Sequence, residues 1–254
     1  MLWARIRHRG RELGGTVEGE TFRVRAGDPF SDAAPTGETL PLADAEWLTP
    51  CVPSKLIALW NNFHALAAKQ GLTVPAEPLY FIKSANSYCA HLQPIRAPAS
   101  YTGKVLFEGE LGVVIGKECK DVSETDAARH IFGYTCVNDV TAFDLIQRDP
   151  SFAQWTRAKS FDTFGLFGPV IATGVDPLEL SVRTIVDGKE RQNYPVSDMV
   201  FKPAQIVSQI SRELTLYPGD VISCGTSLGV GSLKPGCTVE VAIAGIGVLR
   251  NEYR

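Results

Sequence analysis

The sequence predicts a β-rich α+β fold, and three observations support this assignment. Apolar and polar residues alternate over short segments along most of the chain, as they do in half-buried strands. The pair Asp187-Gly188 separates two such segments, and this pair is typical of a tight hairpin turn. Helical spacing of apolar residues is confined to a few short segments. A chain of 254 residues is long enough to bury one large core, or to form a small unit and a larger one.

Composition excludes several classes of protein. Hydrophobic residues make up 44% of the chain and charged residues 21%, as in ordinary globular proteins. The net charge of -3, with only one short basic cluster, argues against a partner made of nucleic acid. No apolar run is long enough to span a bilayer, and the N-terminus lacks the apolar part of a signal peptide. We therefore expect a cytoplasmic protein with no membrane partner, whose six scattered cysteines are reduced thiols.

Residues 1–50 are predicted to form a small β-rich N-terminal unit. The segments WARIRHRG and TFRVRAG have the pattern of short antiparallel strands on either side of Gly14-Gly15. Arg5, Arg7 and Arg9 would share one strand face. Charges that alternate along an exposed strand are the commoner explanation, and a substrate-binding patch is the alternative.

Three further segments have the pattern of short helices. The apolar strand KLIALW is followed by a helix that Gly71 would close. Ser123 can cap a second helix, which would return the chain so that Asp139 lies near two earlier glutamates. Pro203 would begin a third, amphipathic helix that ends before Pro218.

Three acidic residues interrupt apolar segments in the middle of the chain. Glu108 and Glu110 lie two residues apart in one predicted strand, so their side chains should point to the same face. Gly109 and Gly112 would leave room beside them for a ligand or another backbone. A second apolar segment ends at Asp139. Three acids that converge from two strands would form an oxygen site suited to Mg2+, Mn2+ or Ca2+.

Two interpretations of the glutamate pair compete. Acids two residues apart are common on the solvent-facing side of a strand. Like charges on neighbouring positions of one face, however, repel each other unless a cation or basic groups lie between them. No Lys or Arg lies within this strand, and we therefore favour the metal ion.

Several motifs, in the same order, resemble those of the fumarylacetoacetate hydrolase family. They are FEGELGVVIGK, GYTCVNDVTAFD, QWTRAKSFDTFGLFGPVIAT, RQNYPVSDMVF and LTLYPGDVISCGTSLGVGSLKPGCTVEVAIAGIGVL. Several motifs in the correct order are more specific than any one alone. The resemblance runs from about Pro53 to the C-terminus and implies a mixed β-sandwich roll, with residues 51–254 as the catalytic domain of a homodimer. It is closest to the branch of 2-hydroxyhepta-2,4-diene-1,7-dioate isomerases and 5-oxopent-3-ene-1,2,5-tricarboxylate decarboxylases.

The resemblance implies a divalent metal, Mg2+ or Mn2+, held by Glu108, Glu110 and Asp139. Lys159 corresponds to the active-site lysine of the family. A nearby divalent cation disfavours the ammonium form of a lysine, so Lys159 is expected to act as a base or to hold an enolate oxygen.

Four further residues are candidates for contact with the substrate. Gly225 and Thr226 resemble the family's loop, in which backbone amides and a hydroxyl meet a carboxylate or oxyanion. Lys83 corresponds to a lysine near the dimer or substrate region, and a charged strand end is the alternative. Gln147 lies close to a polar position of the family pattern, in an uncertain register.

The chain departs from the family pattern at two places. Hydrolases and decarboxylases of the family carry a His-x-x-Glu pair that activates water, and the corresponding residues here are Leu66 and Lys69. His64, two residues earlier, is the candidate general base, and a structural or exposed histidine is the alternative. Phe143 stands where the family often has an arginine that contacts the substrate. A carboxylate clamp is therefore missing.

These residues predict an enzyme acting on a small 2-oxo or 2-hydroxydienoic acid whose carboxylate and enolate oxygens chelate the metal. Stabilisation of the enolate serves isomerisation, C-C bond hydrolysis and decarboxylation alike. We expect isomerisation or hydrolysis in aromatic catabolism. The alternatives are an oxo-acid decarboxylase of the same family and a non-catalytic metal-binding dimer that has lost its general base.

Overall fold

The computed structural model describes all of residues 1–254, and strands dominate it. The strands in chain order are β1 (Leu2–His8), β2 (Arg11–Glu18), β3 (Thr21–Ala26), β4 (Ala34–Pro41), β5 (Glu46–Trp47), β6 (Leu56–Trp60), β7 (Leu79–Lys83), β8 (Tyr88–Cys89), β9 (Val105–Phe107), β10 (Gly109–Ile115), β11 (Ile131–Asp139), β12 (Thr141–Ala142), β13 (Gly165–Ala172), β14 (Ser181–Val186), β15 (Lys189–Pro195), β16 (Val221–Ser223), β17 (Gly231–Ser232), β18 (Thr238–Ile243) and β19 (Gly247–Glu252). The helices are α1 (His64–Gln70), α2 (Glu124–Ala127), α3 (Trp155–Lys159) and α4 (Pro203–Glu213). The β-rich α+β fold is confirmed.

The strands form three sheets. The largest has twelve strands, in the order β4-β3-β2-β1-β13-β11-β10-β16-β6-β7, with β5 paired to β1 and β8 paired to β13. It is a mixed sheet, because β16 pairs in parallel with β6 and β13 with β8, whereas pairs such as β10 with β11 are antiparallel. The other two sheets are β12-β9-β17 and β15-β14-β18-β19. The predicted mixed sheet architecture is confirmed.

The core lies on both faces of the large sheet. A cluster of 47 buried residues fills the side that faces the four-stranded sheet, and eight more buried residues form a second cluster. Val113 belongs to the first cluster and Val114 to the second, as alternation along a strand requires. All six cysteines are buried and unpaired, which confirms the expected free thiols. No helix is long and apolar enough to cross a bilayer.

Strands from residues 1–50 continue the large sheet of the main body. Leu2 pairs with Ala172 and Trp3 with Ile171, so β1 lies directly against β13. This unit therefore extends the sheet and does not form one of its own. Its separation from residues 51–254 as a distinct domain stays a prediction.

The strand boundary predicted at Gly14-Gly15 is wrong, because both glycines lie inside β2. The chain turns instead at Arg9-Gly10, where both residues have positive φ. A Cβ atom on Gly15 would lie 2.2 Å from the carbonyl oxygen of Arg23 on the neighbouring strand. Gly15 thus permits close strand packing rather than a turn.

The arginines of β1 are engaged with neighbouring acids. Arg7 forms ion pairs with Glu12 and Glu46, and Arg5 pairs with Glu12. These contacts agree with the interpretation of an exposed charged strand, and they leave the alternative of a substrate patch without support.

The remaining local predictions are confirmed. Asp187 and Gly188 connect β14 to β15 with φ values of 49° and 73°, as a type I′ turn requires. Gly71 ends α1 in the left-handed conformation, and the Ser123 side chain accepts a hydrogen bond from the N–H of Asp126 at the start of α2. Pro203 is the first residue of α4.

Candidate metal centre

Glu108 and Glu110 lie where β9 passes into β10. Glu108 is the single residue between the two strands, and Glu110 is the second residue of β10. The N–H of Glu108 donates to Oδ1 of Asn138 (3.1 Å), and its carbonyl accepts from the N–H of Asp139 (2.9 Å). The end of β11 therefore fixes the backbone at the first glutamate, and the single strand predicted from the sequence is divided in two at this point.

The three predicted carboxylates converge. One oxygen from each of Glu108, Glu110 and Asp139 lies within 4.8 Å of the other two. Glu110 and Asp139 are fully buried, and Glu108 is half-buried. Three carboxylates so close together, two of them removed from water, suit a hard divalent cation such as Mg2+ or Mn2+.

The two oxygens of Glu110 differ in their partners. Oε2 accepts hydrogen bonds from the Ser223 hydroxyl (2.5 Å) and from the N–H of Gly225 (2.8 Å). Oε1 is buried and has no hydrogen-bond partner. A buried carboxylate oxygen without a partner is costly, and a cation held among the three acids would satisfy it. The residues present therefore fit a divalent metal.

Two lysines reach the same carboxylates from distant parts of the chain. Nζ of Lys159, at the end of α3, lies 2.5 Å from Oε2 of Glu108 and 2.6 Å from Oδ2 of Asp139. Nζ of Lys83, at the end of β7, donates to Oδ1 of Asp139. The fold thus brings two basic groups from outside the strand, and they relieve part of the repulsion among the acids. With all five groups ionised, as they would be around a bound cation, three carboxylates and two ammonium groups leave one net negative charge.

Burial and charge shift the pKa values within this cluster in different directions. Burial disfavours the charged form of Asp139, but the attraction of Lys159 and Lys83 outweighs burial, so the pKa of Asp139 is lowered. Burial raises the pKa of Glu110 well above its usual value, and the charges of Asp139 and Glu108 raise it further. Burial also opposes the charge on Lys159, but the three carboxylates outweigh it, and its pKa is raised. With only these side chains around it, Lys159 therefore favours its ammonium form.

The cluster opens onto a cleft of about 550 Å³. Its lining residues are Leu59, Trp60, Asn61, Leu66, Gln70, Leu106, Glu108, Glu110, Phe143, Asp144, Ile146, Gln147, Trp155, Lys159, Thr226 and Val230. The volume lies within the usual range for small-molecule sites. A site for a small ligand therefore lies beside the cluster, with Glu108 and Glu110 in its wall.

The cleft contains some of the predicted substrate-binding residues and lacks others. Thr226 and Gln147 are part of its lining. Lys83 is not, since it is fully buried against Asp139. The N–H of Gly225 is bonded to Glu110, so this amide orients a predicted metal ligand and is not free for the substrate. The structure thus holds Lys83 and the N–H of Gly225 against carboxylates of the cluster. Substrate contact by these two residues, and by Thr226 and Gln147, stays a prediction.

His64 lies away from the carboxylates. It is the exposed first residue of α1 and is not part of the cleft lining. Leu66, the residue that corresponds to the family's histidine, does line the cleft. The structure therefore places an apolar side chain where water activation was expected and does not bring His64 to the site.

A buried glutamine that the sequence reasoning missed supports the strand of the two glutamates. Oε1 of Gln192 accepts from the N–H of Gly109 (2.9 Å) and the Thr184 hydroxyl (2.8 Å), while Nε2 donates to the Thr226 hydroxyl (2.8 Å). The Thr226 hydroxyl in turn donates to the carbonyl of Gly109 (3.0 Å). One residue thus joins the metal strand to the substrate loop. The only sequence signal was its place in the motif RQNYPVSDMVF.

The space predicted beside the two glycines is filled by side chains. A Cβ on Gly109 would lie 2.0 Å from the Thr184 hydroxyl, and one on Gly112 would lie 2.7 Å from Cγ2 of Val137. The small residues therefore allow β14 and β11 to approach the metal strand, and they leave no room for a ligand there.

Comparisons with known proteins agree with this geometry. A family model described as the fumarylacetoacetate (FAA) hydrolase C-terminal domain matches residues 55–254, and one described as Rv2993c-like, N-terminal, matches residues 1–50. Protein Rv2993c of Mycobacterium tuberculosis is 43% identical over 243 residues, which are 94% of this chain and 90% of that protein.

Two solved structures are similar over the whole chain. A 2-hydroxyhepta-2,4-diene-1,7-dioate isomerase from Mycobacterium marinum has 40% identity and a TM-score of 0.91, covering 100% of this chain and 98% of its own. A fumarylacetoacetate hydrolase from Exiguobacterium antarcticum has 31% identity and a TM-score of 0.88, covering 100% and 99%. The chain therefore belongs to the fumarylacetoacetate hydrolase family.

Proposed function

We propose that this protein is a metal-dependent enzyme that acts on small 2-oxo or 2-hydroxydienoic acids through an enolate, in aromatic catabolism. The observation that carries this proposal is the buried, unpartnered Oε1 of Glu110. Glu110 is one of three carboxylates that converge beside a cleft. The similar structures include one protein named as an isomerase of a hydroxydienoic acid and one named as a hydrolase. Assembly as a homodimer and a cytoplasmic location stay predictions.

Each functional group has a distinct part in this proposal. Glu108, Glu110 and Asp139 would hold Mg2+ or Mn2+, which when bound would act as a Lewis acid for an enolate oxygen. Lys159 lies between two of these carboxylates and also lines the cleft, so its ammonium group can donate to a substrate oxygen or carry a proton. The Thr226 hydroxyl, whose proton is donated to the carbonyl of Gly109, would accept a hydrogen bond from the substrate at the same wall.

The cleft lining favours reactions that need no activated water. It contains no histidine, and its titratable side chains are Glu108, Glu110, Asp144 and Lys159. Isomerisation requires a proton to move between two positions of the substrate. Lys159 could carry this proton from its neutral form, which a divalent cation held by the three carboxylates would favour. Decarboxylation is the second candidate for the same reason, since loss of carbon dioxide requires no water. Hydrolysis is less favoured because His64 does not reach the cleft.

Calorimetric titration tests the proposal. The wild-type protein is titrated with Mg2+ or Mn2+ in the presence of oxalate, which mimics the 2-oxo acid end of a substrate. We expect saturable binding that is lost in Glu108→Gln and Glu110→Gln. Glu118→Gln, which changes an exposed acid outside the site, is the matched control and should bind as the wild type does.

Turnover is then measured by ultraviolet absorbance with 2-hydroxydienoic acids and 2-oxo acids. Metal-dependent turnover that Glu110→Gln abolishes would support the proposal. Absence of metal binding, or full activity of Glu110→Gln, would contradict it. Metal binding without turnover of any acid tested would favour a non-catalytic metal-binding protein.

A further inference from the structure

The cleft contains few charged groups beyond the metal centre. Lys159 is the single cationic side chain in its lining, and it is already paired with Glu108 and Asp139. A divalent cation would change the net charge of the carboxylate and lysine cluster from one negative to one positive. One carboxylate of a bound 2-oxo acid would neutralise that charge. No second cation remains in the lining for another carboxylate.

The lining away from the metal centre is mostly apolar. Half of its sixteen residues are hydrophobic, among them Leu66, Phe143, Ile146 and Trp155. The Trp155 ring stacks on the Phe81 ring, with 5.6 Å between the ring centroids and 20° between the ring planes. This contact makes Trp155 a rigid wall of the cleft. Such a surface gains free energy by covering an apolar group and loses it by desolvating a charged one.

The one other charged group in the lining is negative. Asp144 accepts hydrogen bonds at Oδ2 from the Tyr101 hydroxyl (2.9 Å) and the N–H of Lys104 (2.9 Å), which hold it in place as a carboxylate. Lys104 and Arg148 lie near enough to act on its charge, but neither is part of the lining. A second substrate carboxylate would therefore meet like charge.

We propose that the site selects 2-oxo or 2-hydroxydienoic acids whose far end is uncharged and apolar, and that it discriminates against those with a second carboxylate there. This inference rests on the proposed function, since it assumes that the acid end of the substrate binds at the metal centre. Phe143, which is 51% exposed and lines the cleft, is the residue assigned to this discrimination. The neutral amides of Gln70 and Gln147 can donate to a carbonyl or hydroxyl but cannot neutralise a carboxylate.

A pair of ligands of equal chain length tests the inference. The two compounds are 2,4-dioxoheptanoate and 2,4-dioxoheptanedioate, which share the 2-oxo acid end and differ only in a terminal methyl or carboxylate group. Their dissociation constants are measured by calorimetry with saturating Mg2+, with oxalate as the reference for the acid end. We expect the heptanoate to bind at least about tenfold more tightly than the heptanedioate.

Two arginine variants test whether the cleft wall causes the difference between the two dissociation constants. Phe143→Arg supplies a cation inside the cleft and should narrow the ratio of the two dissociation constants by about fivefold to tenfold. Phe152→Arg is the matched control, because Phe152 is exposed, nearby in sequence and outside the lining, and it should leave the ratio unchanged.

The outcomes separate this inference from the proposed function. If oxalate binds with Mg2+ but the heptanedioate binds as tightly as the heptanoate, the inference is overturned and the metal site stands. If neither oxalate nor either acid binds with any divalent metal, both proposals fail together. If Phe143→Arg and Phe152→Arg change the ratio of the dissociation constants equally, general surface charge causes the change. That result would overturn the assignment to Phe143.

Discussion

Two buried carboxylate clusters of this chain differ in how their charge is balanced. Asp220, just before β16, is fully buried. Its Oδ1 accepts from the Ser54 hydroxyl (2.6 Å) and the N–H of Lys55 (3.1 Å), and its Oδ2 accepts from Nζ of Lys55 (2.5 Å) and the N–H of Tyr217 (2.8 Å). One carboxylate faces one ammonium group, and both of its oxygens have donors.

The cluster of Glu108, Glu110 and Asp139 is not completed in this way. Three carboxylates face two ammonium groups, and Oε1 of Glu110 has no donor at all. The chain satisfies Asp220 with its own donors and leaves the other cluster short of positive charge. Burial of an acid therefore does not by itself indicate a ligand site. A buried acid with an incomplete set of partners is the better indication of a ligand site.

Asp220→Ala should have the largest effect on stability. It removes the carboxylate whose partners are complete and leaves Glu108, Glu110 and Asp139 unchanged. Removing one partner of a buried ion pair leaves the other charge and its donors unpaired, so we expect the free energy of unfolding to fall by about 3–5 kcal/mol. Urea unfolding measures this change, and calorimetry should show unchanged Mn2+ affinity in the folded protein. Asp220→Asn is the milder variant if the alanine variant does not fold. Loss of metal affinity in step with stability would contradict the comparison.

Metal ions should stabilise the protein through the incomplete cluster alone. At an Mn2+ concentration one hundred times the dissociation constant, binding to the folded state adds about 2.7 kcal/mol to the free energy of unfolding. Urea unfolding with and without Mn2+ should show this gain for the wild type and none for Glu110→Gln. The comparison fails if both proteins gain the same stability.

Lys83→Met and Lys55→Met compare the two clusters directly. Lys83→Met removes one of the two donors of Asp139, so the metal-free protein should lose about 2 kcal/mol of stability. The same variant increases the negative charge of the metal cluster, and we expect it to bind Mn2+ more tightly. Lys55→Met should lower stability without changing Mn2+ affinity. Weaker Mn2+ binding by Lys83→Met would show that orienting Asp139 matters more than the net charge.

The smallest expected effect is on the pH dependence of stability without metal. The pKa of Glu110 is raised in the folded protein by burial and by neighbouring negative charge, and that of Glu108 is raised by burial. The folded state then keeps protons that the unfolded chain has released. The contribution of these two glutamates to stability is therefore fully present below their unfolded pKa, about 4.3, and is lost as pH rises through the folded pKa.

Urea unfolding with a chelator present, from about pH 5 to about pH 8, measures this fall. Glu110→Gln should reduce it, since the amide does not titrate. The lowered pKa of Asp139 acts with the opposite sign, but below its usual range and thus outside this window. An identical pH profile for the wild type and Glu110→Gln would contradict the expectation.

The sequence was most informative where the relevant pattern is local. Glu108, Glu110 and Asp139 could be found because each interrupts or ends an apolar strand, and the turn at Asp187-Gly188 because two residues determine it. The strand boundary at Gly14-Gly15 was wrong because a glycine can either allow a bend or allow a neighbouring strand to approach closely. The sequence of a single strand does not distinguish these.

The sequence could not place residues whose contacts depend on distant partners. Lys83 was found at a strand end, but its orientation towards Asp139 follows from where β7 lies beside β6 in the large sheet. Gln192 is 83 residues from Gly109, and no local pattern indicates that their strands meet. His64 was a candidate from proximity in sequence, whereas the phase of a short helix determines which side chain faces the cleft.

The pairing of β1 with β13 has a consequence for any shortened form of this protein. A chain that lacks residues 1–50 would keep every predicted metal ligand but would expose the backbone of Ile171 and Ala172, and the N–H of Thr173 would lose its bond to the carbonyl of Met1. An uncovered edge of a large sheet is a template for pairing with other chains. Residues 1–50 therefore cover an edge of β13, the strand next to the one that carries Asp139.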